Sequence, residues 1–103
     1  MNPRVLFQDV KPVDVVASLD DLRGPATGPL VLPLEVYWGP EPLVDLASTS
    51  DVAKAYQAVL REGDTRAQAA LLDRDLLVRT WPDLLLPDRV RAAWEARFPE
   101  LTA

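Results

Sequence analysis

Cysteine and histidine are both missing from this sequence. Without cysteine there is no disulfide, no thiolate zinc site and no sulfur nucleophile. Without histidine the chain lacks the side chain most often used as a general base and the commonest metal ligand. Ser18, Ser48 and Ser50 therefore have no imidazole to activate them, and no G-x-S-x-G turn is present. Glycine is scarce as well. All four glycines stand beside turn or helix-end residues, so no glycine-rich loop is available to cradle a phosphate. Long apolar runs are also lacking: no stretch approaches the roughly 20 residues that a membrane helix needs, and the apolar run near Met1 is too short for a signal peptide. These absences predict a cytoplasmic protein that uses no cofactor and has no membrane partner.

A chain of 103 residues is expected to form one domain, since a second core would have too little material. The net charge of −5 disfavours non-specific attraction to nucleic acid or to an anionic membrane. The charge is uneven: residues 1–73 carry 6 basic and 11 acidic side chains, whereas residues 74–98 carry 5 and 4. Arginine outnumbers lysine nine to two, and Ala, Leu, Val, Pro and Asp are abundant, a bias expected of GC-rich coding.

The hydrophobic pattern predicts an α+β domain: a β-hairpin, or a three-stranded antiparallel sheet, packed against three or four short C-terminal helices. Residues 1–29 form an N-terminal segment and turn-rich connector, 30–47 the hairpin and 48–98 the helical part. Val5 to Gln8 could start a strand. From Pro12 to Arg23, Val15, Val16, Leu19 and Leu22 fall at helical spacing and we read a helix, with a strand as the alternative. In Leu30 to Trp38 the even positions Leu30, Leu32, Leu34, Val36 and Trp38 make one apolar face at period two. Pro33 cannot donate to a ladder, which predicts an edge strand or a bulge there. After Gly39-Pro40-Glu41-Pro42, residues Leu43 to Leu46 read as the returning strand.

The second half follows the 3.6-residue period. Ser48 or Ser50 is placed to cap a helix with Val52, Ala55, Tyr56, Val59 and Leu60 on one face and Gly63 at its end. Asp64 or Thr65 is placed to cap a second helix through Ala67, Ala70 and Leu71, with a break expected at Asp73-Arg74-Asp75 and a further segment from Leu76 to Thr80. Pro82 biases Trp81 away from helical backbone. Pro87 pre-sets a last helix with Val90, Ala93, Trp94 and Phe98 inward.

Candidate sites are few. Glu35, Tyr37 and Trp38 lie on the proline-marked strand, and an edge strand ending in two aromatics suits a protein partner, because aromatic anchors dominate interfaces. Arg89, Arg91 and Arg97 on the last helix offer an alternative, a DNA-binding regulator, although Asp88 and Glu95 share that helix. A third reading is a magnesium-dependent enzyme that uses Glu35 or the carboxylates of Asp73 and Asp75, where Asp73 is more simply a helix cap and Asp75 a partner for Arg79. Asp20-Asp21 is the other close acidic pair.

Three stretches, Leu32 to Pro40, Ala55 to Gly63 and Leu76 to Leu84 continuing through Pro87 to Glu95, together resemble small uncharacterised acidic proteins of GC-rich bacteria that accompany mobile elements and toxin–antitoxin-like gene pairs. The resemblance covers about residues 30–101. It implies no catalytic residues and a partner-binding role; the acidic body of the chain makes that role most concretely one of an acidic antitoxin or inhibitor with a protein partner such as a toxin.

Overall fold

In a computed structural model, residues 13–102 are described and form an α+β fold built from a two-stranded antiparallel sheet and four α-helices. The strands are β1 (Pro29–Val31) and β2 (Leu43–Asp45), and the helices are α1 (Thr49–Glu62), α2 (Thr65–Leu71), α3 (Arg74–Thr80) and α4 (Asp88–Arg97). Three 3-10 turns, Leu19–Asp21, Trp81–Asp83 and Pro99–Thr102, complete the order. No third strand joins the sheet among the described residues, and the expected strand at Val5 to Gln8 lies outside them.

The helical half forms as its periodicity requires. Ser48 caps α1 by accepting the Asp51 N–H, Gly63 ends the helix, and the inward residues are Val52, Ala55, Tyr56, Val59 and Leu60. Asp64 caps α2 through the Ala67 N–H, and Asp73 caps α3 through the Leu76 N–H. The break between these two helices falls at Leu72 and Asp73, one to two residues earlier than the charge cluster suggests, because Asp73 is more stable as a cap than in a helix interior. Asp75 and Arg79 make no ion pair among the described residues.

Trp81 departs from expectation. Its backbone is helical (φ −49°, ψ −46°) although Pro82 follows it. The proline ring occupies the first turn of the 3-10 segment, where no N–H is needed, and the Leu84 N–H closes that segment on the Trp81 carbonyl at 3.2 Å. The steric cost of a helical pre-proline residue is offset by what the side chain buries. Trp81 and Trp94 are both fully enclosed, and a large aromatic removes about 150–250 Å² from water, worth roughly 4–6 kcal/mol of transfer free energy. Their rings lie 6.3 Å apart at 39°, and Phe98 extends the stack at 5.6 Å from Trp94.

Residues 13–23 do not form the helix read from Pro12 to Arg23, and Pro12 itself lies outside the described residues. Only Leu19–Asp21 turns, held by a capping box in which the Ser18 hydroxyl accepts the Asp20 N–H and the Asp21 carboxylate accepts the Ser18 N–H. Val16, Leu19 and Leu22 still face the core, but the chain reaches it as an extended strap. Gln68, buried on α2, donates its amide to the carbonyls of Asp14 and Gly63, and Arg97 reaches the carbonyls of Val15 and Val16. Three of the strap's carbonyls, those of Asp14, Val15 and Val16, are thus satisfied by side chains of the helical half instead of by a helix of its own.

Candidate functional site

The segment that carries Glu35, Tyr37 and Trp38 is folded differently from its alternation. β1 ends at Val31, and the last ladder bond runs from the Leu32 N–H to the Pro42 carbonyl at 2.9 Å. Pro33 then begins a helical turn, its carbonyl accepting the N–H groups of Val36 at 3.1 Å and Tyr37 at 3.0 Å. A switch from period two to a helical period re-sorts the side chains. Leu32 and Val36, four apart, face the core, whereas Leu34 and Trp38 are turned out to 78% and 69% exposure. The single apolar face expected over Leu30 to Trp38 is therefore split in two. Its cause is local: Pro33 has no N–H to continue the ladder, and Pro40 and Pro42 face the same restriction on the returning side.

The hairpin survives in a shorter form. Its strands pair Leu30 with Val44 and Val31 with Leu43, and residues 32–42 form a long excursion between them. Val44 is buried beneath the sheet, while Val31 and Leu43 stand on the outer side at 63% and 61% exposure. Glu35 is exposed on the helical turn, and Tyr37 is half-buried against the core.

The excursion closes against the outer face of α1. Lys54 is the clasp: its ammonium lies 4.7 Å from the centre of the Tyr37 ring and donates to the Glu41 carbonyl at 2.8 Å. Gly39 supplies the room for that ring, since a Cβ there would stand 2.3 Å from the Tyr37 hydroxyl. The result is a cleft of about 450 Å³ lined by Tyr37, Trp38 and Gly39 from the excursion and by Lys54, Ala58 and Arg61 from the helix, among others. Gln57 also lines it and holds the neighbouring apolar link, its Oε1 accepting the Leu85 N–H at 2.8 Å. Leu85 itself is 78% exposed.

Lys54, Gln57, Ala58 and Arg61 were not candidates from sequence. Helical periodicity places them opposite the buried stripe of α1, so their outward position was readable. That the Tyr37–Trp38 segment would fold onto them was not, because residue spacing within α1 carries no information about a contact with another element.

The arginines of α4 do not share a surface. At 3.6 residues per turn Arg89 and Arg91 point about 200° apart. Arg91 folds inward: its guanidinium stacks 5.0 Å from the Trp81 ring centre, donates to the Leu84 carbonyl and pairs with Glu95 at 3.6 Å. Glu95 in turn accepts the Trp81 indole N–H at 2.9 Å. Arg97 is spent on the strap carbonyls described above.

Three of the four acids in the close pairs are engaged within the fold. Asp20 meets Arg74 at 2.7 Å, Asp21 closes the capping box, and Asp73 caps α3. Among the described residues no three carboxylates converge as metal ligands. No helix there is long and apolar enough to cross a membrane.

Among the described residues, the one strongly shifted titration is internal. Tyr56 is fully enclosed, and burial pushes its phenol up to about 12, against the smaller lowering effect of the hydrogen bond from the Asp73 backbone.

The described residues thus make a small α+β fold with an aromatic-walled cleft between a proline-rich excursion and helix α1. The chain matches no protein-family model, no curated protein and no solved structure.

Proposed function

We propose that this chain is a non-enzymatic protein-binding module, an acidic antitoxin or inhibitor-type partner of another protein, which engages its target through Glu35, Tyr37 and Trp38. The observation that carries the reading is the exposure of Trp38, 69%, on a segment whose other end is anchored in the core by Leu32 and Val36. A tryptophan left in water costs apolar hydration that a partner would relieve, and aromatic side chains at the centre of an interface supply most of its binding energy. The surrounding apolar residues and the cleft support a contact surface larger than one side chain. The net charge of −5 supports a target with a basic site, since complementary charge accelerates encounter.

The test is affinity capture from native extract of the source cells with two baits, the unaltered protein and Trp38→Ala. A single stoichiometric protein retained by the first and lost from the second is the expected result. If nothing stoichiometric is retained, or if retention ignores the substitution, the proposed role is wrong.

A further inference from the structure

Resting on the protein-binding reading, we propose that residues 31–43 form a pre-organised acidic anchor whose partner surface is a cationic amphipathic protein segment, with lysine or arginine bordering an apolar face. Five large hydrophobic side chains are strongly exposed among the described residues, and four of them fall within residues 31–43: Leu34 and Trp38 on the excursion, and Val31 and Leu43 at the strand ends that flank it. The charged residues between them are Glu35 and Glu41, with no base in the segment. Neither carboxylate has an ion pair among the described residues, because Lys54 donates to the Glu41 backbone carbonyl and places its charge over the Tyr37 ring.

The anchor is built to bind without first being ordered. Leu32 and Val36 root it in the core, the turn closes on the Pro33 carbonyl, and Pro33, Pro40 and Pro42 fix their own φ angles. Binding then requires less loss of conformational freedom than it would from an unstructured loop. Charge decides the partner's polarity. At physiological salt, exposed charges act over a Debye length of about 8 Å, so the carboxylates flanking Trp38 weigh more than distant ones. A partner carrying acids at that border would meet like charge, whereas one carrying lysine or arginine would pair with Glu35 and Glu41 around the buried tryptophan.

Tryptophan fluorescence reads this contact directly, since Trp81 and Trp94 are enclosed and Trp38 is not. The probes are two synthetic amphipathic peptides of equal length and pattern, one of Leu and Lys, the other of Leu and Glu. The Leu/Lys peptide is expected to shift Trp38 emission to the blue, and the Leu/Glu peptide to leave it unchanged. Glu35→Gln combined with Glu41→Gln should weaken binding by about threefold to tenfold, the range that two exposed ion pairs supply. Asp20→Asn combined with Asp75→Asn, beside the α2–α3 break that the inward Tyr56 meets on the opposite side of α1 from the cleft, alters the net charge equally and should change affinity by less than about twofold if proximity decides. By calorimetry, Trp38→Ala should lower affinity by about tenfold or more, as expected of an interface anchor.

The inference is overturned if the Leu/Glu peptide binds as well or better, a result that Lys54 and Arg61 in the adjoining cleft would favour. It is equally overturned if the two double variants behave alike, if Trp38→Ala binds normally, or if the Leu/Lys peptide does not bind. A natural partner captured in a Trp38-dependent manner, together with the wrong peptide preference, would sink the charge assignment and leave the protein-binding reading standing.

Discussion

The Tyr56 hydroxyl, projecting from the middle of α1, accepts the backbone N–H of Asp73 at 2.9 Å. This bond joins α1, the longest helix among the described residues, to the break between α2 and α3, where Asp73 itself caps the next helix. One phenol thus fixes where two short helices separate.

Removing that acceptor is expected to be expensive. In Tyr56→Phe the ring still fills its site while the Asp73 N–H loses its partner, a loss of about 1–3 kcal/mol. Urea denaturation measures it, and a change below about 0.5 kcal/mol would show that the bond does not hold the break.

Tyr56 also predicts an alkaline weakness. Its folded pKa of about 12 exceeds the ordinary value of 10.0, so the folded state holds this proton more tightly. The contribution is complete below pH 10 and is lost as pH rises through 12, an effect on the order of 2–3 kcal/mol. Stability measured across this window should fall more steeply for the native protein than for Tyr56→Phe. Parallel curves would refute the assignment.

The two enclosed tryptophans should respond differently to phenylalanine. Trp81 donates its N–H to Glu95, whereas the Trp94 N–H is buried with no partner among the described residues. Both substitutions shrink the core, but Trp94→Phe also removes an unpaired donor. Trp81→Phe, in contrast, discards a charge-assisted bond and leaves Glu95 to Arg91 alone. Trp81→Phe is therefore expected to cost about 1 kcal/mol or more beyond Trp94→Phe. Thermal or urea unfolding ranks them, and the reverse order would contradict the hydrogen-bond pattern.

Two glycines separate steric from conformational demands. A Cβ on Gly24 would stand 2.3 Å from the Leu71 carbonyl carbon, while Gly24 donates to the Leu72 carbonyl at 2.8 Å. The obstacle is backbone, so Gly24→Ala should destabilise by about 1–3 kcal/mol and loosen the strap from the end of α2. Gly28 has φ +87° and open space around its Cα, so Gly28→Ala meets only conformational strain, about 1–2 kcal/mol. Hydrogen exchange at Arg23 and Gly24, whose N–H groups bond Ala69 and Leu72, should rise sharply in the first variant and remain near normal in the second.

Acrylamide quenching gives a direct check on the candidate surface. Trp38 is expected to account for nearly all of the accessible tryptophan emission, so Trp38→Phe should leave a signal that acrylamide scarcely reduces. Equal quenching of the two proteins would mean that Trp38 is covered.

The amino-acid order by itself determined the helical half: the stripe of Val52, Ala55, Tyr56, Val59 and Leu60, the cap at Asp73, the inward tryptophans, and two candidate caps each for α1 and α2, of which the structure uses Ser48 and Asp64. These depend on interactions within four residues, which spacing records. It also marked Tyr37 and Trp38 as an unusual pair, although on a strand that does not extend that far. Tertiary structure decided what spacing could not. The strap of residues 13–18 is stabilised by Gln68 and Arg97 from more than fifty positions away, so its helical pattern lost to distant side chains. In the excursion, Pro33 ended the ladder and helix α1 offered a surface on which Lys54 could hold Tyr37 and Glu41. The aromatic cleft exists only because those two elements meet, and such a meeting depends on how the whole chain buries its apolar residues.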